Sequence, residues 1–171
     1  IASLVMAIFK LRKLILQIKP DVVHTWLYHA DLLGGIAAKL AGVNNIIWSV
    51  RNTYVPIGSR VTYYVMKLCA LLSSIIPQKV ICVAHAAKHS HIDYGYAESK
   101  LVVVPNGFDF STFEPSPELT ATAREKFGID DKDFVVGNVG RYHMDKGQDL
   151  FIQAVASLKE QISNLKVFLV G

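Results

Sequence analysis

Phe134-Val-Val-Gly-Asn-Val-Gly-Arg-Tyr-His-Met-Asp-Lys-Gly147 decides the fold. Its first six residues, Phe134–Val139, have the apolar, β-branched and aromatic bias of a strand. Gly140 to Gly147 is a basic loop bounded by glycine at both ends. From Gly147 to Ile162, Phe151, Ala154, Val155, Leu158 and Ile162 recur at helical spacing, which predicts an amphipathic helix with these five side chains inward. Lys166–Val170 is a second apolar strand. The stretch is therefore a strand, a loop, a crossover helix and a strand, the unit from which parallel sheets are built.

The same alternation runs upstream. Ile1–Ile18 is apolar nearly all round, with Ser3, Lys10, Lys13 and Gln17 in one narrow stripe, and predicts a mostly covered helix that Pro20 stops. Asp21–Trp26 then reads as a strand, Ala30–Ala41 as a helix closed by Gly42, and Asn45–Val50 as a strand. Arg60–Ile76 is a helix ended by Pro77, Lys79–Ala84 a strand, His85–Tyr94 a helix before Gly95, and Leu101–Val104 a fourth strand. This pattern predicts an α/β chain with parallel sheets and helices on both faces. Phe108–Pro117 interrupts it with aromatic, acidic and proline-rich sequence, which predicts a passage between two domains, 1–107 and 108–171, each part of a Rossmann-like fold. Beyond it, Ser116 is a candidate N-cap with Pro117 at the first helical position. Leu119, Ala123 and Phe127 form a stripe that Gly128 closes.

Composition narrows the function. The chain has 171 residues, 51% apolar and 19% charged, so it can bury a core and is too hydrophobic for a disordered linker. Its formal charge of +4 suits a phosphorylated ligand or an anionic membrane surface. Without a basic run or a basic tract interleaved with aromatics, nucleic acid is the weakest partner. The longest apolar stretch, Val61–Ile76, is broken by Lys67 and falls short of the roughly 18–20 residues of a membrane span. Ile1–Leu16 lacks a signal-peptide cleavage site. Cys69 and Cys82 read as core thiols of a cytosolic protein. With Ile1 in place of Met and an apparent strand at the other end, the sequence reads as an internal piece of a longer chain.

In open parallel sheets, ligands sit beyond the C-terminal ends of the strands. The segment after Val139 is the most informative: glycine permits close backbone approach, a helix N-terminus favours an anion, and Arg141 and Lys146 supply two cations suited to a diphosphate. After the other strands come His24, Arg51 with Asn52, and Asn106 with Gly107. His24 beside Trp26 has either a hydroxyl-binding or a packing role. His85 and His89 have metal-ligand spacing without a third ligand, and Asp131-Lys-Asp133 reads as a solvated turn at the wrong end of its strand. Neither a metal nor a cofactor is called for.

The loop Gly140, Arg141, Lys146 and Gly147, taken with Val103-Val-Pro-Asn-Gly-Phe-Asp109 before it, resembles family 4 of the nucleotide-sugar glycosyltransferases. Lys19-Pro-Asp-Val-Val-His24, His29-Ala-Asp-Leu-Leu-Gly-Gly35 and Tyr94-Gly-Tyr96 agree with it. The resemblance implies the two-domain GT-B architecture, with 1–107 as the C-terminal part of the acceptor-side domain and 108–171 as the start of the donor-binding domain. It also implies retaining transfer of a sugar from a nucleotide-diphosphate donor to a saccharide or lipid-linked acceptor, in envelope polysaccharide or glycolipid synthesis. Peripheral contact with the inner face of the membrane is compatible with it. Gly140, Arg141, Lys146 and Gly147 would hold the donor diphosphate, with Asn106 and Gly107 in the turn between domains. Arg51-Asn52 stands where many members carry a histidine near the reacting carbon. The acceptor-side glycine loop and the glutamate-containing donor segment are absent, so the chain alone is expected not to turn over. A nucleotide-sugar epimerase of the same architecture and a noncatalytic nucleotide-sugar binding fragment are the alternatives.

Overall fold

The computed structural model describes residues 2–54, 60–114 and 116–171; Ile1, the predicted start of the first helix, lies outside the described residues. The chain divides into two compact units, Ile1–Phe108 and Asp109–Gly171. Each is a parallel sheet flanked by helices, as in part of a Rossmann-like domain.

The first unit runs α1 (Ala2–Ile18), β1 (Val23–Trp26), α2 (Tyr28–Leu40), β2 (Ile46–Val50), α3 (Arg60–Leu72), β3 (Lys79–Cys82), α4 (His85–Asp93) and β4 (Leu101–Val103). Its strands pair in parallel in the order β1-β2-β3-β4. Register fixes which side chains share a face. Val23 pairs with Ile46, Trp48 with Val80, and Val80 with Leu101, so Ile46, Trp48, Val50, Val80, Cys82 and Leu101 form one row, and all are buried. His24, Trp26, Ser49 and Ile81 have the opposite parity and fall together on the other face.

Two adjacent glycines let α2 settle onto the buried row. A Cβ at Gly34 would stand 2.7 Å from the Thr25 methyl, and one at Gly35 would stand 2.6 Å from Trp48 Nε1. This close approach buries Asp31, one turn earlier, completely. Its Oδ1 accepts a hydrogen bond from the Thr25 hydroxyl at 2.6 Å, while Oδ2 has no partner among the described residues. Burial pushes the carboxyl up to about 7, against the opposing effect of the Thr25 bond. Next to it, His91 Nδ1–H donates to Ala87 O at 2.7 Å, so Nε2 is left to accept from the Tyr28 hydroxyl at 2.9 Å. That bond ties the first turn of α2 to α4. Burial lowers the His91 pKa and keeps the ring neutral. Cys69 and Cys82 are buried free thiols, pushed by burial up to about 12 and about 11, and are inert as nucleophiles at neutral pH.

Two expectations change. The helix α1 is exposed rather than mostly covered: Leu4, Val5, Met6, Phe9, Leu14 and Ile18 all face outward, because α1 packs on α2 along a single stripe that includes Ile15. The helix α3 ends at Leu72, not Ile76, because the Ser73 hydroxyl donates to Ala70 O and the Ser73 and Ile75 amides bond only three residues back, to Ala70 O and Leu72 O.

The second unit has a short 3-10 turn (Phe110–Phe113), then α5 (Pro117–Lys126), β5 (Phe134–Val139), a second 3-10 turn (Met144–Lys146), α6 (Gln148–Lys159) and β6 (Leu165–Val170). Strands β5 and β6 pair in parallel from Phe134 with Leu165 to Val139 with Val170. Ser116 caps α5, its hydroxyl oxygen accepting from Leu119 N at 3.3 Å. On α6, which ends at Lys159 rather than Ile162, Phe151, Val155 and Leu158 are half-buried, as is Ile162 just beyond it, but Ala154, at the border of that stripe, is exposed.

Candidate functional site

The segment after β5 is built from the backbone outward. Gly140 N donates to Val170 O at 2.7 Å, which extends the β5–β6 ladder past the end of the strand. The chain then turns through Met144–Lys146 to Gly147, whose φ of 62° lies in the left-handed region that glycine adopts without strain. Gly147 is the N-cap of α6 and its carbonyl accepts from Phe151 N. The first amides of α6 consequently face the loop with no side-chain cap, the arrangement that favours an anion.

Lys146 crosses back over Gly140: its Cγ and Cδ lie 3.6 and 3.7 Å from where a Gly140 Cβ would be. Arg141 is exposed on the strand side of the loop, and only its carbonyl is held. The residue that holds it is Gln148, the one buried side chain among the described residues of this unit. Its Nε2 donates to Gly140 O at 3.1 Å and to Arg141 O at 3.0 Å, and its Oε1 accepts from His143 N. Gln148 thus fixes the loop that carries both cations. A polar residue opening a helix looks like surface in the sequence, and only its place directly after Gly147 hinted at this role. Gly171 approaches the same loop so closely that a Cβ there would meet Gly140 O at 2.8 Å. Beside the loop lies a cavity of about 270 Å³ lined by Asn138, Gly140, Tyr142, Gln148, Ile152 and Leu169. The Asn138 Oδ1 is buried without a partner among the described residues.

Replacing Gln148 by Ala is expected to release the Gly140 and Arg141 carbonyls, at a cost of about 2 kcal/mol for the lost buried bonds. Hydrogen exchange at the Arg141–Lys146 amides should rise by more than at β5; equal exchange in both would show that Gln148 does not order the loop.

A separate set of side chains gathers at the C-terminal ends of β1, β2 and β4 within the first unit. His24 Nε2 and Ser49 Oγ are 2.7 Å apart. Partial desolvation lowers the His24 pKa. Its ring lies 5.4 Å from that of Trp26, so it both packs and bonds. The Arg51 guanidinium sits 4.7 Å over the Trp26 ring, and its Nη2 donates to Asn106 Oδ1 at 2.6 Å. Gly107 and the Ser49 hydroxyl complete the edge of a cavity of about 410 Å³. Asn52 is exposed and does not line it. The sequence does not single out Ser49, because its place beside His24 depends on register, which pairs it with Trp26.

His85 and His89 are exposed on α4, and no group of three potential ligands exists among the described residues. In the Asp131–Asp133 turn, Asp131 and Lys132 are exposed, as expected of a solvated turn, and only Asp133 is half-buried. Asp133 Oδ2 accepts from Asp130 N at 2.9 Å and lies 3.8 Å from Lys166 Nζ, because the short turn folds its side chain back onto the sheet edge.

Residues 2–112 match the Glycosyltransferase Family 4 model, and residues 120–171 match that of Glycosyl transferases group 1. Among curated proteins the chain is 28% identical over 156 residues to UDP-Gal:alpha-D-GlcNAc-diphosphoundecaprenol alpha-1,3-galactosyltransferase of Escherichia coli, a match covering 90% of this chain and 40% of that protein. It is 27% identical to the capsular polysaccharide biosynthesis glycosyltransferase CapM of Staphylococcus aureus, covering 90% and 41%. The chain spans about two fifths of the length of these relatives. Among solved structures, Anabaena HepE in complex with UDP-glucose superposes with a TM-score of 0.81 at 22% identity, over 95% of this chain and 42% of that one. The UDP-N-acetylglucosamine 2-epimerase of Rickettsia bellii superposes with a TM-score of 0.55 at 16% identity, over 99% and 44%. At these identities the structural likenesses speak for the fold.

Proposed function

The chain belongs to glycosyltransferase family 4, and from that premise we propose that it is part of a retaining enzyme moving a sugar from a nucleotide-diphosphate donor to an acceptor hydroxyl in envelope polysaccharide or glycolipid synthesis. The first unit serves the acceptor and the second the donor. The observation that carries this proposal is the loop Gly140–Gly147, which brings an uncapped helix start, Lys146 lying over Gly140 and an exposed Arg141 into one short segment suited to a diphosphate. Negative charge develops on the diphosphate as the glycosidic bond breaks. Cations and amides already in place stabilise that charge more in the transition state than in the ground state, and so accelerate the step. The named E. coli and S. aureus relatives support the polysaccharide setting. The test is proton NMR of the product made by the whole protein from an α-linked UDP-sugar. An α-linked product is expected; a β-linked product would overturn retention, and an epimerised donor formed without acceptor would overturn transfer.

The exposed apolar residues of α1, flanked by Lys10 and Lys13 on the helix and Lys19 just after it, fit peripheral contact with an anionic membrane, as do Val61, Tyr64, Leu68 and Leu71 on α3. No helix among the described residues is long and apolar enough to cross one. Co-flotation with anionic vesicles at low salt is the expected result, and its absence would count against the contact.

A further inference from the structure

Arg51 is a cation held in a fixed pose without a counter-charge. One guanidinium N–H is taken by Asn106 Oδ1 at 2.6 Å, and the plane is steadied by the Trp26 ring at 4.7 Å. Among the described residues it forms no ion pair. Arginine carries five N–H donors in a planar fork, so most of its hydrogen-bonding capacity remains unspent. Holding it this way, rather than letting it wave in solvent, removes most of the entropy that a ligand would otherwise have to freeze out.

The surroundings sharpen the choice of ligand. No residue lining the 410 Å³ cavity is a carboxylate, and the stretch from Leu32 to Ile92 contains none at all. The first unit carries 11 Lys+Arg against 4 Asp+Glu, whereas the second carries 7 against 10. The cavity also offers half-exposed Trp26, apolar Ile81 and Val104, and His24 with Ser49 as hydroxyl partners. Guanidinium, indole and hydroxyl-binding groups in one cavity of this size fit a sugar ring bearing a phosphate better than either a bare anion or a neutral sugar.

We propose that this cavity binds the glycosyl-phosphate end of an anionic acceptor, with Arg51 on the phosphate and the sugar ring beside Trp26. That the ligand is an acceptor rests on the glycosyltransferase proposal; the phosphate preference rests on the cavity alone. Arg51 is thus a specificity-determining residue that selects acceptors in which the saccharide is attached through phosphate.

The full chain is titrated with glucose 1-phosphate, glucose, inorganic phosphate and UDP, following the indole N–H resonance of half-exposed Trp26; that of Trp48, which is fully buried, serves as the internal reference. Glucose 1-phosphate is expected to bind about tenfold or more tightly than glucose or phosphate, the scale of one charge-assisted contact. Arg51→Gln should abolish that preference without lowering the melting temperature. Arg51→Lys, which keeps the charge but not the fork, should fall between. Equal affinity for glucose and glucose 1-phosphate, or an unchanged preference in both variants, would overturn the proposal. UDP binding that weakens in Arg51→Gln in step with glucose 1-phosphate would overturn the acceptor assignment by giving the phosphate to the donor. If UDP fails to bind the parent chain while glucose 1-phosphate selectivity holds, the donor proposal falls and the cavity assignment stands.

Discussion

Replacing Arg141 and Lys146 together by Ala is expected to lower the affinity of the protein for UDP by about a hundredfold or more, since each charge-assisted bond to phosphate contributes about 1.5–3 kcal/mol. Both side chains are exposed and neither supports the core, so the melting temperature should hold. Lys146 lies across Gly140, where it can reach an anion seated at the start of α6; Arg141 comes from the strand side. Turnover of the whole protein should fall further than affinity, because the leaving diphosphate gains charge as the bond breaks. Uridine, which carries no phosphate, should bind parent and double variant alike. A double variant that binds UDP normally would remove the loop from the donor site.

The second large effect lies in the core. In an unfolded chain Asp31 would titrate near 3.8; in the fold its carboxyl is pushed up to about 7, chiefly by burial. Between those values the folded state keeps a proton that the unfolded chain has released. The associated stability is therefore fully present below about pH 4 and is lost as pH rises through 7. At about 1.4 kcal/mol per pH unit, the loss amounts to about 4 kcal/mol. Asp31→Asn keeps an oxygen for the Thr25 hydroxyl and cannot ionise. Urea denaturation should find the variant close to the parent at pH 4 and more stable by several kcal/mol at pH 8. If the two stability curves run parallel across that range, or if the variant is weaker at pH 8, Asp31 is ionised in the fold and its environment has been misjudged.

Asp31 also marks the limit of what the sequence discloses. An acid in the first turn of a helix ordinarily faces water and complements the helix dipole. Here Gly34 and Gly35 bring α2 so close to Thr25 and Trp48 that the acid is drawn under with them, and nothing in the local pattern announces so short an approach. The alternation of strands and helices was legible because it is local: apolar runs, Gly42 and Gly95 after helices, Pro20 and Pro77 as stops. Register was not, so Ser49 could not be placed beside His24, nor Arg51 over Trp26. The exposed outer face of α1 shows the converse limit, since apolar composition states a preference for burial but does not name what covers it. The phosphate loop was visible from its glycines and cations, whereas the Gln148 side chain that orders it was not.

The most direct test of diphosphate binding by the Gly140–Gly147 loop is an amide chemical-shift titration of the protein with UDP against uridine. The amides of Gly140–Gly147 and the first turn of α6 are expected to move with UDP and to stay in place with uridine. Equal shifts with both ligands, or UDP shifts that bypass this loop, would contradict it.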